Sequence, residues 1–166
     1  MEIREMRPRD VPRLVEVSLA ADTLFADAGV VLPPDDPREL LEHAGRVLVA
    51  VSGAAPVGLA ATVAVDGSAH LEQLAVHPSS GRRGIGSALL EAVCAEAAAA
   101  GGDRMTLTTF RDLPWNAPWY AARGFSVWAR EEWGPGLERV WAAEAPIRVL
   151  PRVAMVRNLA RTGPAA

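Results

Sequence analysis

The chain has 166 residues, of which 50% are hydrophobic and 22% charged, so it can build the core of a folded domain and is not a disordered tail. Its 17 basic and 20 acidic residues give a net charge of −3, which argues against a nucleic-acid partner held by bulk positive charge. A single cysteine excludes an internal disulfide and a cysteine-rich zinc site, and no metal-ligand spacing is visible.

The sequence shows no membrane-spanning or secretory segment. No apolar run reaches the ~18 residues that a membrane helix needs, and the first residues, MEIREMRPRD, lack the apolar stretch of a signal peptide. We therefore expect a cytoplasmic protein without a membrane partner. We also expect one domain over residues 1–158, followed by a flexible C-terminal tail over residues 159–166.

The first third of the chain predicts one strand and two helices. Residues 2–7 alternate and form a short strand. Asp10 is the expected N-cap of a helix whose apolar residues recur at helical spacing over 11–19. A proline-rich loop is expected over 26–37, and a second, short helix over 38–43.

Three strands follow, joined by two turns. Residues 46–51, 56–65 and 70–77 are rich in strand-forming side chains. The dipeptides Ser52-Gly53 and Asp66-Gly67 are typical of hairpin turns, so the three strands are expected to be antiparallel.

The second half continues as turn, helix, strand, helix and two strands, at residues 79–86, 87–100, 104–109, 114–123, 124–130 and 149–156. The element order predicts an α/β domain of the α+β type, with helices flanking a mixed, mostly antiparallel central sheet. One parallel step is expected across the alanine-rich helix.

A turn rich in glycine and arginine lies between the third of these strands and the alanine-rich helix. Glycines at 81, 84 and 86 allow close approach of the backbone, and the helix start offers unpaired N–H groups and a positive dipole end. Together with Arg82 and Arg83, these features are suited to a pyrophosphate. The structural alternative is a tight strand–helix connection. The glycine order matches neither a Walker motif nor a dinucleotide fingerprint.

Two motifs in this order resemble the acetyl-CoA-binding core of the GNAT acetyltransferase superfamily. The first is LAVHP at residues 74–78, followed by GRRGIG at 81–86. The second is Asn116 followed by YAARGF at residues 120–125. The sequence departs from the family pattern at Gly81, where Gln or Arg is usual. The element order fits the superfamily over about residues 2–157.

The resemblance implies a GNAT fold and acetyl-CoA as cosubstrate, without a metal. It implies that the backbones of Leu74, Ala75 and Val76 pair with the pantetheine arm. Asn116 would bond the same arm, and Tyr120 would lie near the sulfur and protonate the leaving thiolate. The amides expected to hold the pyrophosphate are those of Arg82, Arg83, Gly84, Ile85, Gly86 and Ser87.

The strand before the turn carries two candidate general bases. His70, Glu72 and Leu74 share one face by the two-residue strand period. The serotonin N-acetyltransferase branch of the superfamily has histidines at the places of His70 and Glu72, so either residue is a candidate base, directly or through water. His70 can instead be a hydrogen-bonded sheet histidine, Glu72 a salt-bridge partner or an ammonium anchor, and Tyr120 a core residue beside Phe125.

The remaining reactive side chains are expected to be structural. Cys94 lies on the apolar face of the alanine-rich helix, with Leu90 and Ala97, and is expected in the core. His43 and His77 are expected at the surface.

The acceptor is less constrained by the sequence. Asp22, Asp27, Asp35 and Asp36 lie where the superfamily builds its acceptor pocket and favour a cationic amine, or else form a solvated acidic loop. All five Trp fall between residues 115 and 141, as an aromatic wall or as core and dimer packing. We therefore expect an N-acetyltransferase acting on the primary amine of a small molecule by direct attack. The alternatives are a protein N-terminal or lysine acetyltransferase and a non-catalytic acyl-CoA sensor, and a homodimer is compatible with each.

Overall fold

The computed structural model describes residues 1–160. The strands are β1 Glu2–Glu5, β2 Arg46–Ser52, β3 Ala55–Val65, β4 Ser68–Val76, β5 Arg104–Phe110, β6 Ser126–Val127 and β7 Arg152–Asn158. The helices are α1 Val11–Asp27, α2 Pro37–His43, α3 Ile85–Ala99, α4 Ala117–Ala121 and α5 Pro135–Ala143. None of these helices is long and apolar enough to cross a membrane.

The strands form a mixed sheet with the order β1-β2-β3-β4-β5-β7-β6. β1, β2 and β3 are antiparallel neighbours, β5, β7 and β6 are also antiparallel, and β4 and β5 run parallel. The predicted fold class and the single parallel step across α3 are therefore confirmed.

The contacts of the chain divide it into two compact units. The first comprises residues 1–63 and 72–93, and the second comprises residues 64–71 and the described residues from Cys94 to Ala160. The expectation of a single domain over 1–158 stays a prediction. Residues 161–166 of the predicted tail lie outside the described residues, whereas Leu159 donates its backbone N–H to Asp103 O at 2.9 Å.

The first unit is built around an apolar cluster shared by two helices and three strands. Its fully or nearly fully buried members are Leu14, Val17, Leu41, Val47, Val49, Leu59, Ala61 and Ala75. The residues of β2 and β3 in this cluster are two apart, so they occupy one face of each strand. Of the predicted apolar stripe of α1, Leu14 lies in this core and Val11 and Val15 pack against it, whereas Leu19 is 52% exposed.

The core of the second unit is formed by residues of β5, β7 and α5. Met105, Leu107 and Met155 of the two strands and Leu137 of α5 are each at most 2% exposed. Asp66 and Gly67 have positive φ angles of 51° and 75°, which is the backbone of the tight hairpin turn that the sequence predicted. The Asp66 carboxylate also accepts the N–H groups of Gly136 at 2.7 Å and Leu137 at 2.9 Å, and so caps the start of α5.

Two predictions in the second unit were wrong. The strand expected over 124–130 comprises only Ser126–Val127, because the chain then turns away after Trp128 N bonds Ala154 O. Helix α5 was missed altogether. Its first residues, Pro135-Gly136, read locally as a turn, and its cap is supplied by Asp66, far away in the sequence.

Asp10 plays a different part from the one predicted. Its backbone is already helical, and its carboxylate makes no bond to the amides of α1. It accepts two hydrogen bonds from the Arg4 guanidinium, at 2.7 and 3.0 Å, and one from the backbone N–H of Arg7 at 2.7 Å. The side chain is 4% exposed, and the hydrogen bond from Arg4 is the main reason why its pKa is lowered.

We predict that Asp10→Asn lowers the free energy of unfolding at pH 7 by ~1–3 kcal/mol, because a buried charge-assisted pair is lost. A carboxylate with a lowered pKa stabilises the fold above the unfolded-state pKa, so the difference from wild type shrinks as the pH falls below about 3.8. Urea denaturation at a series of pH values measures it.

Asp112→Asn is the matched control. Arg111 and Asp112 form the same two-point ion pair at 2.9 and 3.0 Å, but Asp112 is 66% exposed. Its replacement is expected to change the free energy of unfolding much less, because water screens and replaces the lost interaction. Equal effects of the two variants would show that burial of the Arg4–Asp10 pair contributes nothing.

Candidate active site

The turn between β4 and α3 has two residues in the left-handed backbone region. Arg82 has φ 61° and Gly84 has φ 76°. Helix α3 begins directly afterwards, and its first hydrogen bond runs from Ala88 N to Gly84 O at 3.0 Å. The turn is exposed from Gly81 to Gly84, and a Cβ at Gly84 would meet no atom within 4 Å. The turn therefore presents the amides and the positive dipole end of α3 to an anion.

Gly58 and Gly81 explain the local geometry of this turn. A Cβ at Gly58 would lie 3.0 Å from Leu89 and 3.1 Å from Ala75 O, so glycine lets α3 approach the strands closely. At Gly81 a Cβ would lie 3.2 Å from Pro78 O. The departure from the family pattern at Gly81 thus accompanies a tight turn that leaves little room for a side chain.

The hydrogen-bond ladder between β4 and β5 is short. It joins Ala69 to Met105 and His70 to Thr106. The backbone groups of Leu74–Val76, the residues predicted to pair with an extended ligand, lie outside this ladder. Ala75 in this segment is 6% exposed and belongs to the buried apolar cluster of the first unit.

His70 is the most buried of the candidate bases. Its side chain is 3% exposed, and Nδ1 lies 2.8 Å from Thr106 Oγ1. Burial lowers the pKa of His70 to about 4. The imidazole is therefore neutral at pH 7, which is the form that can accept a proton. Its hydrogen bond within the sheet fits both the structural and the catalytic interpretation.

Glu72 and its neighbour Gln73 are less buried than His70. Partial burial raises the pKa of Glu72, while the nearby His43 opposes this shift. Among residues 1–160 Glu72 forms no ion pair, so the salt-bridge interpretation finds no partner. Gln73 donates to Ser18 Oγ at 3.1 Å, and its buried Oε1 has no hydrogen-bond donor. β4 thus carries a carboxylate without an ion-pair partner and, on the opposite face of the strand, an amide oxygen without a donor within residues 1–160.

The acidic residues predicted near the acceptor behave in two ways. Burial, followed by repulsion from Asp35, raises the pKa of Asp22. Asp36 instead caps α2, because its carboxylate accepts from Arg38 N at 3.0 Å. Asp22 and Asp35 are therefore candidates for attracting a cation, whereas Asp36 has a structural task.

Tyr120 and Asn116 belong to the segment that begins α4. Tyr120 is 8% exposed and packs edge-on to Trp119 and Phe125, with ring centroids 5.1 and 5.6 Å apart. Burial raises the pKa of Tyr120, so the phenol keeps its proton. Its hydroxyl forms no hydrogen bond within the described part of the chain. Asn116 Oδ1 is buried and also lacks a partner, which is unusual for a buried amide oxygen.

The tryptophans have structural partners. The Arg123 guanidinium stacks on Trp119 at 3.7 Å. Trp133 and Trp141 pack against each other at 5.1 Å, and Arg148 lies 4.5 Å from the Trp141 ring. These contacts support the packing interpretation for these three rings.

The candidate residues divide between the two units. Glu72, Leu74–Val76 and Arg82–Ser87 belong to the first unit, and His70, Asn116 and Tyr120 belong to the second. Cys94 is 3% exposed, in agreement with a core position. His77 accepts from Ser79 N at 3.1 Å and so caps the turn after β4. Sequence reasoning missed Thr106, because nothing in a strand sequence shows which residue faces His70.

A comparison with protein families identifies the enzyme class of this chain. A sequence model described as the Acetyltransferase (GNAT) family matches residues 16–125, more than half of the chain. The protein is therefore an acyltransferase. It belongs to the GNAT family of acetyltransferases, as the two sequence motifs predicted.

Solved structures share the fold. Similar chains include an acetyltransferase of the GNAT family from Staphylococcus aureus, with 20% identity, a TM-score of 0.75 and coverage of 96% of this chain and 99% of that one. The ribosomal-protein-S18-alanine N-acetyltransferase of Escherichia coli has 18% identity, a TM-score of 0.69 and coverage of 99% and 97%.

A third similar structure is the N-acetylglutamate synthase of Neisseria gonorrhoeae complexed with coenzyme A and N-acetyl-glutamate. It has 20% identity and a TM-score of 0.75, over 96% of this chain. This chain spans only 35% of the length of that synthase. At these identities the likeness concerns the fold.

The burial of His70 predicts a pH-dependent stability. Its pKa falls from 6.5 to about 4 in the folded state, so the unfolded chain binds more protons between these values. Stability is fully present above pH 6.5 and is lost as the pH falls towards 4. At pH 5 the loss is expected to reach about 2 kcal/mol relative to pH 7.

His70→Gln removes this titration. We expect its free energy of unfolding, measured in urea, to fall less steeply between pH 7 and pH 5 than that of wild type. The comparison concerns slopes, so a constant offset from repacking does not matter. Parallel pH profiles would mean that His70 titrates normally in the folded protein.

Proposed function

We propose that this protein is an N-acetyltransferase that transfers the acetyl group of acetyl-CoA to a primary amine of a small molecule in the cytoplasm. The observation that carries the proposal is the left-handed turn at Arg82 and Gly84 leading into α3. It supplies an anion site at the end of a strand in a chain of the GNAT family. A homodimer is compatible with this activity.

The candidate binding residues fit two parts of coenzyme A, the pyrophosphate and the pantetheine arm. The amides of Arg82, Arg83, Gly84, Ile85, Gly86 and Ser87 suit the pyrophosphate, because the α3 dipole and two exposed guanidinium groups favour negative charge. The backbone of Leu74–Val76, outside the β4–β5 ladder, is available to an extended amide chain in the manner of an added strand. The unpartnered Asn116 Oδ1 suits an amide N–H of the same arm.

The acceptor amine must lose a proton before it attacks the thioester carbon. His70 is neutral at pH 7 and offers an electron pair on its ring. Glu72 has a raised pKa and forms no ion pair within residues 1–160, which favours a role in accepting the proton or holding the ammonium group. Both residues are proposed as bases, directly or through water. Attack forms the C–N bond, and the C–S bond then breaks.

Tyr120 is proposed to protonate the thiolate that leaves. The phenol keeps its proton at pH 7 and forms no other hydrogen bond within residues 1–160, so this proton is available to the thiolate as the C–S bond breaks. The Val76 amide, at the end of β4, is the proposed donor to the developing oxyanion.

A cationic small molecule suits the first unit as acceptor. Asp22 and Asp35 repel each other, and within residues 1–160 Glu72 forms no ion pair and Gln73 Oε1 lacks a donor. A cationic amine suits such groups, because it brings both the positive charge that carboxylates attract and the N–H donors that an amide oxygen accepts. A protein N-terminus or lysine has the same head group and is the second candidate acceptor.

Thiol release from acetyl-CoA tests the proposal. The acceptor panel comprises small monoamines, polyamines, amino acids, and peptides with a free N-terminus or lysine, and mass spectrometry identifies the N-acetyl product. Turnover with small amines is expected to exceed turnover with peptides. Peptide turnover alone would replace the small-molecule acceptor, and coenzyme binding without any turnover would favour a non-catalytic sensor.

Tyr120→Phe is expected to lower kcat by about 10²-fold, because the proton donor is lost. The dissociation constant of coenzyme A, measured by calorimetry, is expected to change little, since the ring contacts with Trp119 and Phe125 remain. Trp119→Phe is the control for disturbed packing that keeps the hydroxyl. Unchanged kcat in Tyr120→Phe would remove the acid role.

Gly84→Asp is expected to abolish coenzyme binding in calorimetry, because a negative charge enters the anion site and a side chain is forced to positive φ. Gly53→Asp is a matched control. Gly53 has φ 71° against 76° at Gly84, and neither position has an atom within 4 Å of a Cβ. Gly53→Asp therefore bears the same strain and charge in a different turn, the β2–β3 hairpin. Binding that survives Gly84→Asp would contradict this placement of the pyrophosphate.

A further inference from the structure

We propose that Thr106 is a positioning residue that holds His70 in the tautomer with a proton on Nδ1 and a free electron pair on Nε2. This form accepts a proton from the acceptor amine, so the catalytic half of the inference rests on the proposed function. Thr106 lies on β5, directly opposite His70 of β4 in the parallel ladder, and its Oγ1 is 2.8 Å from Nδ1.

The direction of the Thr106 hydroxyl supports this tautomer. The hydroxyl has one proton, and Ala69 O lies 3.5 Å from Oγ1 as an acceptor for it. A hydroxyl that donates to Ala69 O offers His70 only electron pairs, and the 2.8 Å hydrogen bond between the two side chains then needs a proton on Nδ1. The neutral ring has a single N–H, which leaves Nε2 without a proton.

The second ring nitrogen, Nε2, is available to a ligand. Within residues 1–160, the bond to Thr106 is the only hydrogen bond of the His70 side chain. The residue is only 3% exposed, yet Nε2 is not one of the fully buried side-chain atoms without a partner, so this nitrogen keeps some access to solvent. An electron pair on Nε2 can therefore accept a proton from outside the core.

A cavity beside Thr106 offers a second place where its hydroxyl can donate a hydrogen bond. The cavity has a volume of about 230 Å³, and its polar lining includes Asp66, Ser68, Arg104, Thr106 and Glu132. A water molecule occupies ~30 Å³ in the liquid, so the cavity has room for several. A hydroxyl that donates to water in this cavity instead of to Ala69 O still accepts from Nδ1, so both directions give the same tautomer.

Few charges act on His70 from the neighbouring elements. Arg104 lies on β5, Asp66 in the turn before β4, Glu132 before α5, and Glu144 after α5, where it accepts from Thr108. Glu72 follows two residues later on β4. Burial is the cause of the lowered pKa of His70, and no charged group contributes. The ring is thus tuned by its exclusion from water and oriented by Thr106.

Nitrogen NMR of the histidine rings tests the tautomer without any substrate. The chain has 3 histidines, so ¹⁵N-histidine labelling of the full chain gives three imidazole patterns, and the pattern missing from His70→Gln belongs to His70. The expected result at pH 7 is a proton on Nδ1 of His70. A proton on Nε2 would overturn the proposal.

Three variants of β5 test the catalytic consequence. Thr106→Val keeps the shape but removes the acceptor, so the Nε2-protonated tautomer is expected to appear and kcat to fall about tenfold or more at every pH of the plateau. Thr106→Ser keeps the hydroxyl and is expected to restore both the tautomer and kcat. Thr109→Val is the control, because Thr109 is a buried threonine of the same strand, at 5% exposure.

The readouts separate a positioning role from a structural one. A uniform fall of the kcat plateau, with an unchanged KM for acetyl-CoA and rescue by serine, supports the proposal. A changed tautomer in Thr106→Val with unchanged kcat would overturn the catalytic half. Absence of turnover in the wild type would refute the proposed function and that half, while the NMR result still decides the tautomer.

Discussion

The left-handed backbone at Arg82 and Gly84 fixes where α3 begins, and the anion site depends on this point. A non-glycine residue in this region costs roughly 1 kcal/mol, so the conformation at Arg82 must be stabilised by its surroundings. The following helix supplies that stabilisation, because Leu89 and Leu90 are fully buried and Ile85 nearly so. Their burial holds the first turn of α3 in place, while the preceding turn stays exposed to a ligand.

In the second unit, burial rather than ion pairing sets the protonation states of His70 and Tyr120. The same physical cause lowers the pKa of His70 and raises that of Tyr120, because each charged form is excluded from a poorly solvated site. One side chain is therefore kept as an acceptor and the other as a donor at pH 7.

Local sequence signals predicted much of the fold and the anion site. The dipeptide Asp66-Gly67 requires two positive φ angles, and a glycine-rich turn directly before an alanine-rich helix is typical of a helix start that binds an anion. Features that depend on distant partners were not predictable. Helix α5 is capped by Asp66, and His70 is oriented by Thr106, so each relationship exists only after the strands have paired.

The two parts of the chain carry net charges of opposite sign, which suit an anionic cosubstrate and a cationic acceptor. Residues 1–66 carry six arginines and eleven acids, and residues 67–166 carry eleven arginines and nine acids, which gives −5 and +2. Exposed Arg82 and Arg83 belong to the positive part and suit a phosphate-bearing cosubstrate. Asp22 and Asp35 belong to the negative part, where repulsion between carboxylates favours an incoming cation. Such fields act over a Debye length of ~8 Å in physiological salt, so they select the sign of a ligand's charge, while hydrogen-bond partners such as Gln73 Oε1 and Asn116 Oδ1 select its geometry.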